Sequence, residues 1–212
     1  MTSLLDVTLT RRYARALEHV RGRLGVRAAA TWDGLGSYDE ADIAAMVDQL
    51  APVTDAARLA AMDLTAGYLG QVAGPTVAVG LDELSFDATS AWRPPFMSAW
   101  QAFGRGESFE LAREAGRRRA RATAGDIVTL TARSTASAVD DASPHIVGWR
   151  RTLGGAKPCE WCVTVAGQQY RTADSATFGH DSCHCTPSPI TETADPGRAV
   201  NDEVVARIAA PT

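Results

Sequence analysis

The chain has 212 residues, of which 45% are hydrophobic and 22% charged, with a formal net charge of −4. That balance is too apolar for a disordered chain and too charged for a membrane-embedded one, so a globular protein with a real core is expected. No apolar run approaches the roughly 18–20 residues that would span a bilayer, and the N-terminal stretch MTSLLDVTLTRRYARAL lacks the basic start and apolar stretch of a secretory signal. An uncleaved, non-secreted chain without a membrane partner is the resulting expectation.

The first predicted helix runs from about Thr10, where Tyr13, Leu17, Val20 and Leu24 recur at helical spacing, to a stop at Gly25. The stretch TWDGLGSYDE is rich in glycine and aspartate and predicts a linker. Ser37 with Glu40 has the capping-box spacing that opens a second helix. Ile43, Met46, Val47 and Leu50 continue it, and Pro52 predicts a kink or restart. A third apolar face, from Leu59 to Leu69, then leads to Gly74-Pro75. Abundant alanine through this region lets helices approach closely, which favours a long antiparallel hairpin.

Thr76 to Pro95 mixes short apolar alternation with Asp, Ser and a Pro-Pro break, predicting a loop with at most one short strand. A short helical turn follows at Phe96–Phe103. Ser108 can then cap a long helix to Val139, with Gly116 and Gly125 as weak points and Asp140 to Pro144 as its end. Beyond Cys185, Pro187, Pro189 and Pro196 predict an extended strap, closing with a short helix from Asn201 through Ala209.

Lys157 is the only lysine, so the positive charge is almost all arginine. One cluster spans Arg11 to Arg27 and another Arg113 to Arg121. Arginine-bearing helices are ordinarily solvated faces; the functional alternative is contact with phosphate, where counterion release supplies the affinity.

All four cysteines lie between positions 159 and 185. A stapled secreted domain would spread its bridges over the chain, whereas two close doublets in a non-secreted chain favour metal. The elements are Cys159-x-x-Cys162 and His180-x-x-Cys183-x-Cys185. Each can direct its donors at one ion from opposite sides, and zinc suits thiolate and imidazole donors. Five candidates compete for four places: Cys159, Cys162, His180, Cys183 and Cys185. The preferred set is Cys159, Cys162, His180 and Cys185, with Cys183 able to replace His180 or Cys185, and His184 pointing away. Disulfides or reduced, metal-free thiols are the alternative. Because the donors can close a tetrahedron, and no His-Glu-x-x-His or His-x-Glu motif supplies a base, a structural site is expected and no enzyme activity.

The run Pro158-Cys159-Glu160-Trp161-Cys162, then Tyr170, then His180-x-x-Cys183-His184-Cys185 followed by proline, resembles the C-terminal motif of phage head-morphogenesis proteins related to the F protein of phage Mu. The resemblance covers about positions 145–190. It implies a minor capsid protein acting in procapsid assembly in the host cytoplasm and residing in the virion, with phage capsid and portal proteins as partners and packaged DNA as a further candidate through the arginine clusters.

The resulting expectation is a mainly α fold: an alanine-rich helical body over 1–144, a small α+β zinc-knot module over 145–190, and an extended tail over 191–212. A zinc-containing nucleic-acid-binding protein, or a metal-dependent hydrolase or nuclease, is the alternative function.

Overall fold

The computed structural model describes residues 3–74, 80, 84–140, 143–155, 158–177 and 183–210. The fold is mainly α, with a small sheet near the C-terminal end. Three long helices, α1 (Leu4–Asp33), α2 (Glu40–Ala73) and α5 (Phe109–Asp140), pack against one another, with α3 (Ala88–Trp92) and α4 (Pro94–Gly104) between α2 and α5 in the chain. Then come β1 (Ile146–Thr152), α6 (Glu160–Val165), β2 (Gln169–Tyr170), α7 (Ala173–Thr177), β3 (Thr186–Thr191) and α8 (Pro196–Ala209).

Helix α1 is longer at both ends than its apolar periodicity predicts. It starts at a capping box, in which Ser3 Oγ accepts the Asp6 N–H and Asp6 Oδ2 accepts the Ser3 N–H. It also passes straight through Gly25. A helical glycine costs only about 1 kcal/mol, and here Ala28, Ala29 and Trp32 beyond it are all buried. The linker is therefore confined to positions 34–39, and Thr31 to Asp33 belong to the helix.

Helix α2 begins where expected but by a different device. Asp39 is the cap, accepting from Ala41 N and Asp42 N, while Asp42 reaches back to the Ser37 and Tyr38 N–H groups. Pro52 neither ends nor restarts it. One backbone bond is lost there, and Met46, Leu50, Ala61 and Leu69 are buried on either side. The loop expected over Thr76–Pro95 is partly helical: Asp87 caps α3, and Pro94 and Pro95 occupy the first turn of α4, where proline costs no hydrogen bond. Residues 75–79 and 81–83 lie outside the described residues.

The core between α1, α2 and α5 combines aromatic stacking with closed polar contacts. Tyr13 and Tyr68 stack with centroids 4.4 Å apart. The Tyr68 hydroxyl bonds Thr10 Oγ1 at 2.8 Å and Ser188 Oγ at 2.9 Å, and Thr152 Oγ1 meets the same Ser188 at 2.7 Å. This buried chain of hydroxyls runs from α1 through α2 to β3 and β1, so the sheet is tied to the helices by oriented bonds as well as by apolar contact. Burial pushes the Tyr68 phenol up to about 12, keeping it neutral and able to donate.

The sheet is antiparallel, in the order β2-β1-β3. Pro187 and Pro189, expected in an extended strap, lie in β3 opposite Arg151 and Trp149. As an edge strand, β3 can carry prolines that cannot donate. The C-terminal helix starts at Pro196, capped by Asp195, earlier than the expected Asn201, and it packs on β1 and β3. Gly197 permits that approach, because a Cβ there would stand 2.7 Å from Thr152 Oγ1.

Gly116 and Gly125 of α5 are not equivalent. The indole of Trp32 donates to Arg113 O and lies flat on Gly116, where an added Cβ would fall 2.0 Å from Trp32 Cζ2; nothing lies within 4 Å of a Cβ at Gly125. Gly116→Ala is therefore expected to destabilise the chain by about 1–3 kcal/mol through overpacking, whereas Gly125→Ala should stabilise it by about 0.5–1 kcal/mol. Paired thermal denaturation curves moving in opposite directions check this.

Candidate metal centre

The segment after β1 turns back through Gly154 and Gly155. Gly155 has φ +78°, and a Cβ on Gly154 would lie 2.0 Å from His184 O, so only glycine lets this turn press against the 183–185 backbone. Cys159 caps the short helix α6, its Sγ accepting the Cys162 N–H at 3.3 Å. That contact is the expected knuckle geometry, in which a backbone N–H faces the sulfur.

Asn201 of α8 holds the same region from the other side. Its Oδ1 accepts the Leu153 N–H at 2.8 Å, and its Nδ2 donates to Arg151 O at 2.8 Å and Ala166 O at 2.9 Å. One buried side chain thus joins the end of β1, the end of α6 and α8.

These supports bring Cys162, Cys183 and Cys185 together. Their three Sγ atoms lie within 4.8 Å of one another, and the residues are only 2%, 4% and 2% exposed. Cys162 Sγ and Cys183 Sγ are 3.7 Å apart. That is far beyond a disulfide bond of about 2.05 Å, and it is close to the edge of a tetrahedron of sulfurs at about 2.3 Å from a central zinc, roughly 3.8 Å. None of the four cysteines is disulfide-bonded. Cys159 stands outside the 4.8 Å group and is partly buried, while His180 lies outside the described residues. The donor set fits a soft divalent ion, with thiolates as the ligands.

The electrostatics place one negative charge on the sulfurs, at Cys183. Cys183 is held at about 4, first by its hydrogen bond with Cys185 and further by the Arg133 charge, while Cys185 is pushed well above the ordinary thiol range by its bonds to Cys162 and Cys183. Arg151, 1% exposed, places Nη1 3.7 Å from Cys183 Sγ and its guanidinium over the Trp161 ring at 4.9 Å. Burial lowers the Arg133 pKa, and the negative charge of Cys183 opposes that shift. His184 points away from the sulfurs, as expected: its Nδ1 meets Glu18 Oε2 at 2.9 Å on the exposed side of α1. That bond is the main cause holding the Glu18 carboxyl at about 2, and Arg21 adds to it.

A family model described as VG15 protein matches residues 5–205. The chain belongs to the VG15 family. VG15 is a family of phage proteins, so the phage-encoded character expected from the Cys/His motif stands on a match spanning both the helices and the cysteine module. No curated protein and no solved structure matches this VG15 chain. Among its described residues, no helix is long and apolar enough to cross a membrane.

Sequence reasoning missed Arg133, Arg151 and Asn201 as parts of this VG15 site. A faint signal existed for Arg133, a lone charge among the Thr and Ala residues of an otherwise buried face of α5. Asp140, at the end of α5, accepts from Trp149 Nε1 at 2.6 Å and Ala173 N at 2.8 Å, a structural use. Asn201→Leu would leave a buried N–H and two buried carbonyls unpaired. With about 1–3 kcal/mol for each orphaned group, a loss of about 3 kcal/mol or more is expected in denaturant unfolding, with α8 and β1 losing amide-exchange protection first.

Proposed function

We propose that this VG15 chain is a minor structural protein of the phage head. It acts in procapsid assembly near portal and coat protein, and a structural zinc site locks its C-terminal module. The observation that carries this reading is the closure of the cysteine cluster inside a phage-family fold. Its three sulfurs are buried, and among the described residues the groups beside them are guanidiniums, backbone and an indole. When bound, zinc would supply folding free energy by cross-linking α6 to the 183–185 segment.

Five of the arginines in the two clusters are paired within the chain, which favours protein contacts over a phosphate-binding face. Arg113 and Arg117 are engaged with Asp33, Arg118 with Glu114, Arg21 with Glu18 and Arg11 with Glu203. Cations already matched by carboxylates of their own chain release few counterions on meeting DNA.

Co-expression with the coat and portal proteins of the phage that encodes the chain tests the proposal. The chain is expected to co-sediment with procapsids, to give no saturable mobility shift with duplex DNA at physiological salt, and to cleave no DNA with added metal. Absence from procapsids, or saturable DNA binding, or metal-dependent cleavage, would each overturn the structural reading.

A further inference from the structure

Five arginines are buried: Arg21, Arg58, Arg133, Arg150 and Arg151. Arg21 pairs with Glu18, Arg58 approaches Asp55, and Arg150 grips Asp195 with two nitrogens. Among the described residues, Arg133 and Arg151 have no carboxylate partner, and in each of them Nε and Nη2 are buried without an acceptor. A buried guanidinium left uncompensated costs several kcal/mol. Both cations face Cys183: Arg151 from β1 at 3.7 Å, and Arg133 from α5, where it lines the same cavity wall as Cys183.

Charge counting then bears on the fourth ligand. A divalent ion held by three thiolates and a neutral imidazole carries one net negative charge, and held by four thiolates it carries two. Two uncompensated guanidiniums match the second case. We infer that the metal centre is a tetrathiolate site of Cys159, Cys162, Cys183 and Cys185, with Arg133 and Arg151 as its built-in counter-cations. Cys159 is the one remaining thiol, and it sits in the same knuckle as Cys162 with the Cys162 N–H already on its sulfur. The inference rests on the metal reading above. It replaces the ligand set that the Cys/His spacing favours, because spacing carries no information about buried charge.

X-ray absorption on the zinc-loaded full chain reads the coordination shell directly. Four sulfurs at about 2.3 Å and no nitrogen are expected; three sulfurs with one nitrogen at about 2.0–2.1 Å would overturn the tetrathiolate assignment while leaving the metal reading standing. A chain that binds no zinc at all would overturn both. The arginines are tested by chelator competition on folded protein. Arg133→Met and Arg151→Met should each weaken zinc binding by about 10–100-fold, the usual scale for groups acting through a ligand. Arg133→Lys should recover part of that loss, since it restores charge without the guanidinium shape. Unchanged affinity in both Met variants would overturn the counter-cation role.

Discussion

Cys162 arrives from a short helix and Cys183 and Cys185 from the segment leading into an edge strand, and all three residues are buried. Beside them lie two guanidiniums with no carboxylate to answer them among the described residues. Neither half of this arrangement is stable alone, because packed thiolates repel one another and buried cations are poorly solvated. On the proposed reading, a divalent ion would complete the charge and give the C-terminal module a centre on which to close. The glycine turn at Gly154, the Asn201 bonds and the Thr10–Tyr68–Ser188–Thr152 chain of hydroxyls all hold backbone segments that lead to it.

The helical body contributes more than bulk. Arg133 belongs to α5 and Glu18 and Arg21 to α1, and Arg21 also donates to His184 O and to Thr129 Oγ1. Thr129 Oγ1 in turn lies 3.4 Å from Cys183 O. The segment carrying two of the sulfurs is thus gripped by the long helices, and the family match, which runs from residue 5 to residue 205, covers body and module alike.

Much of the helical order was legible because its signals are local. The apolar spacing of α1, the turn chemistry before α2, and Ser108 at the start of α5, whose Oγ accepts the Leu111 N–H, all depend on residues a few positions apart. Errors arose where a long-range contact outweighed a local preference. Gly25 read as a stop and Pro52 as a kink or restart, yet both helices continue through them, and Gly116 read as weak although it is the seat of the Trp32 indole. In the site, the Cys spacing was visible at once. The counter-charges were not, because Arg133 and Arg151 approach Cys183 from distant parts of the chain.

Native mass spectrometry of the purified full chain, before and after a strong chelator, addresses the central claim most directly. One zinc ion per chain is expected, lost only together with a shift to the higher charge states of a partly unfolded protein. A chain that carries no metal and keeps the same compact charge-state distribution with or without chelator would contradict it.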